Sequence, residues 1–178
     1  MKTLKFCVEI LQGNVSTAIA DGFVVPQHYD GYSHTGVSAA FLHTEYYEGI
    51  MEYDEKIGDK PLSPGDVIIT ERTESSKFIN VVTLGLEKEE AFENIQTATS
   101  SVLHEAEENN LWVLAIPALG TGKSGCLSFE QSAKAMLSAI AAYESRGVLK
   151  QVKICILHSP EAYDEYKTTA ENYLASVV

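Results

Sequence analysis

The sequence predicts a single α/β domain, residues 1–178, in which helices cover both faces of a mixed central sheet as a three-layer α/β/α sandwich. Three observations predict this fold class. The chain of 178 residues has the length of one domain. Its second half alternates helical and strand patterns, which is typical of a sheet with helices on both faces. Its first half supplies strands with few helices, which favours a mixed sheet over a fully parallel one.

The first half carries four strand patterns. KFCVEIL at Lys5–Leu11 alternates in polarity, and DGFVVP at Asp21–Pro26 follows the turn QGN. GDVIITE at Gly65–Glu71 and FINVVTL at Phe78–Leu84 are rich in β-branched residues and are bounded by turn residues. Between the second and third strands, HYDGYSHTG predicts a loop, and Val37–Tyr53 predicts one helix.

The second half contains three helical patterns and two strands. Apolar residues recur at helical spacing across Glu87–Asn109. The continuous apolar run Leu111–Leu119 predicts a strand that is buried on both faces. Ser128 begins the next helix with a glutamine three residues later, which is the spacing of a capping box. Val152–Leu157 predicts the last strand, and the segment SPE begins the last helix.

Charge and cysteine content exclude several classes of protein. The net charge of -12 repels polyanions and therefore argues against binding to nucleic acid or to anionic membranes. The three cysteines have no CxxC spacing, so neither a disulfide framework nor a structural zinc is expected. Cys7 and Cys155 lie in apolar strand patterns and predict buried thiols. The chain shows neither a signal-peptide pattern nor a membrane-spanning apolar run, so we expect a cytoplasmic protein.

A glycine-rich turn, PALGTGKSG at Pro117–Gly125, joins a strand to a helix and predicts a phosphate-binding loop. Free N–H groups and the positive end of the helix dipole favour an anion there. A Walker A motif would need glycine where Pro117 stands, and proline has no N–H to offer. The G-x-G-x-x-G match that starts at Gly120 lacks the acidic residue that dinucleotide folds place on the next strand. A tight connection without any ligand is the structural alternative.

In its wider context, this loop resembles the diphosphate-binding segment of macro domains, where a strand, FPA-[IV]-S-[TA]-G-I-Y-G and a helix follow one another. EILQGNVSTAIADGFVV is similar to the first strand, QGDIT turn and second strand of that family. From there through HYDGYSHTGVSAAF, the sequence aligns without a gap with the family's NAAN segment, its glycine-rich loop and the start of its first helix. GDVIITE, FINVVTLG and VKICILHSPEAYDEYK resemble later elements. The resemblance covers nearly the whole chain and implies a macro-domain-like fold that binds ADP-ribose.

The resemblance also implies where the base and the diphosphate of such a ligand bind. The family has an aspartate at the position of Asn14, before Val15, and that aspartate accepts a hydrogen bond from the adenine amino group. The amide oxygen of Asn14 can still accept this bond without contributing charge. The aromatic residue that stacks on adenine falls at Leu157 or His158. The diphosphate loop comprises Leu119, Gly120, Thr121, Gly122, Lys123, Ser124 and Gly125.

The other end of the implied site, at the distal ribose, departs from the family pattern. VPQH at Val25–His28 replaces NAAN, so His28 takes the place of an asparagine that contacts the distal ribose and helps to place the scissile bond in hydrolytic members. The glycine loop keeps only Gly36, before Val37, and carries the side chain of His34 where glycines let the backbone approach the ligand. These departures favour an altered ligand or lost hydrolysis over a standard ADP-ribosyl hydrolase.

Three functions follow from the resemblance and its departures. The first is a binding module for ADP-ribose or a related nucleotide diphosphate, free or on a mono-ADP-ribosylated protein, that uses no cofactor. The second is an ADP-ribosyl hydrolase or ADP-ribose phosphate phosphatase in which His28 or His34 replaces the catalytic groups. Both histidines are otherwise ordinary loop residues. The third is an interaction protein that has lost the ligand. His28, Asp30, His34 and His43 match no defined zinc motif, so we expect no metal.

Overall fold

The computed structural model describes residues 4–31, 36–42, 47–84, 87–122 and 125–177, which form one six-stranded sheet flanked by helices. The strands are β1 (Cys7–Gln12), β2 (Gly22–His28), β3 (Val67–Thr73), β4 (Ser76–Leu84), β5 (Val113–Pro117) and β6 (Gln151–Ile156). The helices are α1 (Gly36–Leu42), α2 (Tyr47–Ile57), α3 (Ala91–Glu108), α4 (Phe129–Ala142) and α5 (Pro160–Val177). Short 3₁₀ turns lie at Val15–Thr17 and Lys88–Glu90.

The sheet is mixed, as the sequence predicts. Its strand order is β1-β6-β5-β2-β4-β3, and only the pairing of β3 with β4 is antiparallel. The carboxyl ends of the five parallel strands therefore meet at one edge of the sheet, which we call the carboxyl edge. In open α/β sheets, ligands bind at this edge.

Two hydrophobic cores lie on opposite faces of the sheet, because successive side chains of a strand point in opposite directions. The larger core joins the sheet to α3, α4 and α5, and includes Val24, Ile79, Leu114, Ile154, Ile95, Val102, Leu137 and Tyr166. The smaller core lies on the face that carries α1, and comprises Val15, Phe23, Val25, Phe41, Phe78, Ala115 and Cys155. Helices on both faces confirm the predicted α/β class. Within the described ranges, no helix has the length and apolar composition needed to cross a membrane.

Local signals in the sequence predict most elements well. The capping box of α4 is confirmed, because the Ser128 hydroxyl accepts from the backbone N–H of Gln131 at 3.1 Å and the Gln131 side chain accepts from the N–H of Ser128 at 3.0 Å. The region predicted as one helix over Val37–Tyr53 carries α1 and α2 in its described parts. Residues 43–46, between them, lie outside the described ranges.

Two predictions, about the length of one strand and the burial of one cysteine, are wrong. The strand predicted over Leu111–Leu119 is shorter, and Trp112 is 63% exposed because it lies in the connection before β5. Cys7 is exposed rather than buried, because β1 is an edge strand. Cys155 is buried as predicted, and this burial raises the pKa of its thiol to about 11, so the thiol stays protonated at neutral pH.

Candidate functional site

The carboxyl edge brings together segments that are far apart in the chain. β1, β6, β5 and β2 are neighbours in the sheet, so the turns that follow them lie side by side. The N–H of Gly13 donates to the carbonyl of Ile156 at 2.9 Å and joins the turn after β1 to the end of β6. The ring of His158 packs edge-on against Phe129 with 5.0 Å between centroids, which joins the turn after β6 to the start of α4. The turns after β1 and β6 and the start of α4 thus lie side by side at this edge.

The loop after β5 folds back on itself. The carbonyl of Gly120 accepts from the N–H of Leu127 at 3.0 Å, and the carbonyl of Gly122 accepts from the N–H of Gly125 at 2.8 Å. A Cβ atom on Gly125 would lie 2.1 Å from the carbonyl oxygen of Gly120, and Gly120 itself has a φ of 81°, in the left-handed region. The curl of this loop therefore requires glycine at both positions.

Gly122 differs from these two glycines. It is exposed, its φ lies outside the left-handed region, and a Cβ atom added to it would meet nothing within 4 Å. The geometry of the loop does not account for a glycine here, so a tight connection alone is an incomplete explanation of the motif. The missing side chain leaves the backbone open to an approaching group. Lys123 and Ser124 lie outside the described residues.

Leu119 supports the loop instead of lining it. Its side chain is 1% exposed and belongs to the larger core. Its carbonyl accepts from the hydroxyl of Ser132 at 2.7 Å, and its N–H faces the sulfur of Met136 at 3.4 Å. Neither its side chain nor its polar backbone groups face the surface, and its contact with a ligand stays a prediction. Thr121 completes the loop, where its hydroxyl donates to the carbonyl of Ala118 at 2.9 Å.

The turn after β1 is fixed by hydrogen bonds. The side-chain oxygen of Asn14 accepts from the N–H of Ser16 at 3.0 Å, and its backbone carbonyl accepts from the N–H and the hydroxyl of Thr17. Val15 is 3% exposed within the smaller core, so it offers a ligand only its backbone. Arg72 of β3 donates to the carbonyl of Ser16 at 3.3 Å. No motif near Arg72 marks it in the sequence, so it was not among the predicted site residues.

Arg72 is itself held by aromatic rings. Its guanidinium carbon lies 3.7 Å from the centroid of the Phe23 ring and 5.5 Å from that of Phe41. A cation over the face of an aromatic ring is attracted by the negative face of that ring. The turn after β1 is therefore tied through Arg72 to residues of β2 and α1.

His28 ends β2 and pairs with Asp30. Its Nδ1 atom lies 2.7 Å from the carboxylate of Asp30. The N–H of Asp30 is 3.5 Å from the same nitrogen, but Nδ1 cannot accept from it while donating to the carboxylate, and the shorter contact decides. A proton on Nδ1 leaves Nε2 as the acceptor nitrogen of the neutral ring. The H-x-D spacing is a local signal by which the sequence could have revealed this pair.

The remaining predicted residues differ in exposure. Gly36 begins α1 and is exposed, whereas Val37 packs against the smaller core. Leu157 is 61% exposed directly after β6. His34 lies outside the described residues, as does His43. In the part of the chain that is described, no three His, Cys, Asp or Glu side chains form a cluster that could hold a metal.

The comparison with protein families decides what this fold is. The model of the Macro domain family matches residues 27–136, which is more than half of the chain. The chain belongs to the macro domain family. The resemblance stated from the sequence is thereby confirmed.

Solved macrodomains share this fold. The macrodomain of Oceanobacillus iheyensis with ADP superposes with a TM-score of 0.83 at 20% identity, covering 96% of this chain and 93% of that one. A mutant of the same macrodomain with ADPR gives a TM-score of 0.81 at 20% identity, with 95% and 94% covered. The macro domain of ganglioside induced differentiation associated protein 2 gives 0.73 at 16% identity, with 94% and 82% covered.

Two relatives in sequence span most of this macro domain. An uncharacterised protein of Saccharolobus solfataricus is 28% identical over 174 residues, which cover 94% of each chain. An uncharacterised protein of Aquifex aeolicus is 26% identical over 153 residues, covering 84% of this chain and 90% of the relative. These relatives extend the likeness across nearly the whole length, beyond the segment that the family model matches.

Proposed function

We propose that this macro domain binds ADP-ribose or a related nucleotide diphosphate at the carboxyl edge of its sheet. The observation that carries the proposal is the loop after β5. Gly120 and Gly125 allow this loop to curl. Gly122 leaves the backbone exposed at the surface, although the geometry of the loop does not require a glycine there. Solved macrodomains of the same fold contain ADP and ADPR, which supports a ligand of this class.

Each part of the ligand has an assigned segment in this proposal. Backbone N–H groups of the loop after β5 hold the diphosphate, and Lys123 adds a positive charge beside it. Asn14 meets the base, with His158 placed to stack on it. His28 and Gly36 line the distal ribose. The ligand is a free nucleotide or a mono-ADP-ribosylated protein, and a cytoplasmic location stays a prediction.

A charge placed on the loop tests this assignment. Gly122→Glu puts a carboxylate where the diphosphate lies, and like charges in contact cost several kcal/mol, so we expect affinity for ADP-ribose to fall by about 100-fold or more. Because a Cβ atom at this exposed position would meet nothing within 4 Å, the fold should be unaffected. The measurement is calorimetric titration, with AMP and NAD as comparators.

Gly122→Gln is the matched control, since it has nearly the same size and no charge. We expect it to lose clearly less affinity than Gly122→Glu. If the glutamate variant binds ADP-ribose as tightly as the wild type, the loop is not the phosphate site. If no nucleotide gives heat or raises the melting temperature of the wild type, the protein is better described as an interaction protein that has lost the ligand.

Hydrolysis is a second candidate function, and the pairing of His28 with Asp30 favours it. A carboxylate 2.7 Å from Nδ1 orients the ring and leaves Nε2 to accept a proton from water. His28 ends β2, at the position where the family's asparagine contacts the distal ribose. The substrates would be mono-ADP-ribosylated protein or ADP-ribose phosphate. Water would attack the distal-ribose carbon and release the protein and ADP-ribose, or attack the phosphorus and release ADP-ribose and phosphate.

The test separates turnover from affinity. In His28→Gln, we expect the rate of hydrolysis to fall by about 100-fold or more, which is the usual contribution of a general base. Its affinity for ADP-ribose should change little. His104→Gln is the matched control, because His104 is an exposed residue of α3 that contacts Glu108. Equal turnover in the two variants, or no release of ADP-ribose or phosphate by the wild type, would reject the hydrolase.

A further inference from the structure

The carboxamide of Asn14 has one accepting end and one donating end, and the structure shows which end is already engaged. Its oxygen accepts from the N–H of Ser16 at 3.0 Å. Only the oxygen can accept from an N–H, so this contact fixes which way the amide is turned. The oxygen is held at the backbone of the turn, and the NH₂ group donates to no described residue, so it is the end that Asn14 offers to a ligand. An aspartate in the same place would offer a second acceptor.

The surrounding turn keeps the amide in this orientation. The backbone carbonyl of Asn14 accepts from the N–H of Thr17 at 3.1 Å and from its hydroxyl at 2.9 Å. Val15 is buried, and Arg72 donates to the carbonyl of Ser16 at 3.3 Å. Turning the amide over would set its NH₂ group against the N–H of Ser16, donor against donor, and lose the existing hydrogen bond.

We propose that Asn14 makes this site select a base that presents a hydrogen-bond acceptor, a keto base such as hypoxanthine, over the amino group of adenine. The inference rests on the proposed function, which places the base at Asn14. The adenine amino group is a donor, so against the NH₂ group of Asn14 it has no acceptor. A keto oxygen at the same ring position accepts from that group. This reverses the expectation that the Asn14 oxygen receives the adenine amino group.

Two ligands that differ only along one edge of the base test the proposal. ADP-ribose carries an amino group beside an unprotonated ring nitrogen, where inosine diphosphate ribose carries a keto oxygen beside a protonated one. Calorimetric titration of the wild type with each ligand should show about tenfold tighter binding of the inosine compound, the cost of one mismatched hydrogen bond.

Substitutions of Asn14 sharpen the test. Asn14→Asp keeps one oxygen for the N–H of Ser16 and turns the second toward the base, so the preference should reverse to adenine. Aspartate caps such a turn as well as asparagine does, so the melting temperature should hold. Asn14→Ala offers neither a donor nor an acceptor, so its ratio of the two affinities should lie between those of the wild type and Asn14→Asp.

The outcomes distinguish this inference from the function on which it rests. If the wild type binds both ligands equally or prefers adenine, or if Asn14→Asp leaves the ratio of affinities unchanged, the base preference is wrong while nucleotide binding stands. If neither ligand binds the wild type, nucleotide binding itself fails. A preference for inosine that weakens in Asn14→Ala and reverses in Asn14→Asp establishes Asn14 as the residue that selects the base.

Discussion

At the amino ends of the strands, buried or half-buried carboxylates are saturated by backbone N–H groups, whereas at the carboxyl ends glycines leave the backbone open. Asp21 accepts from the N–H groups of Trp112 at 2.9 Å and Val113 at 2.7 Å, and so joins β2 to β5. Glu107, at the end of α3, accepts from the N–H groups of Arg146, Val148 and Leu149. These carboxylates hold connections that are distant in sequence.

The polar side chains of the carboxyl edge make a different kind of contact. Asn14 bonds to Ser16 and His28 to Asp30, in both cases two residues away. Such local bonds orient a side chain without using all of its hydrogen-bonding groups. The comparison teaches that long-range saturation of a polar group indicates a structural role, while local orientation with a remaining donor or acceptor indicates a role toward a ligand.

Removing the carboxylate of Glu107 should have the largest effect on stability. This side chain is 1% exposed and also accepts from the hydroxyls of Ser145 at 2.6 Å and Tyr143 at 3.1 Å. Glu107→Ala leaves several buried donors unpaired, so the free energy of unfolding in urea should fall by about 3–5 kcal/mol.

The neighbouring Glu108 supplies the control for this prediction. It is exposed and pairs with Arg146 at 2.8 Å, so Glu108→Ala should cost less than about 1 kcal/mol. ADP-ribose affinity should be unchanged in both variants, because they lie at the opposite edge from the proposed site. Equal stability of the two variants would contradict the structural role of Glu107.

Acid should remove the same stabilisation from the wild type. Burial raises the pKa of Glu107, but hydrogen bonds from Ser145 and from the backbone of Arg146 and Leu149 outweigh it and lower the pKa from 4.5 to about 2. The folded state thus has the lower pKa, so the contribution is complete above about pH 4.5 and is lost as the pH falls toward about 2.

Glu107→Gln has no carboxyl group to titrate at this position, so it isolates the contribution of Glu107 to the loss of stability in acid. Between about pH 5 and pH 2, the free energy of unfolding should fall by about 3 kcal/mol more in the wild type than in this variant. The measurement is urea denaturation at a series of pH values. Parallel pH profiles for the two proteins would show that Glu107 contributes no acid sensitivity.

Two glycines of the loop after β5 should respond differently to alanine, with a smaller effect. In Gly125→Ala the new Cβ atom would lie 2.1 Å from the carbonyl oxygen of Gly120, so the loop must open, at a cost of about 1–3 kcal/mol. Gly122→Ala meets nothing within 4 Å and should change stability by less than about 0.5 kcal/mol. Thermal unfolding of both variants checks this, and indistinguishable melting temperatures would show that the loop is not curled as described.

Features that depend on near neighbours in the chain were predictable from the sequence. The capping box of Ser128 follows from a spacing of three residues, and the alternation of strands and helices follows from periodicity.

Features that depend on distant partners were not predictable. The partners of Glu107 lie 36 to 42 positions away, so a helical glutamate gave no sign of its burial. For the same reason Arg72, 56 positions from Ser16, went unnoticed. The residue type of Asn14 was evident in the sequence, but the direction of its amide depends on the position of the N–H of Ser16, which only coordinates supply.

The most direct test of the account is to locate the nucleotide on the protein by amide-resolved NMR during titration with ADP-ribose. The account predicts that the amide signals of Gly13, Gly120, Gly122 and Gly125 shift, while those of Trp112 and Leu149, near the amino ends of the strands, do not. Shifts concentrated near the amino ends of the strands, or unchanged signals at a saturating concentration of ligand, would contradict a nucleotide site at the carboxyl edge of this macro domain.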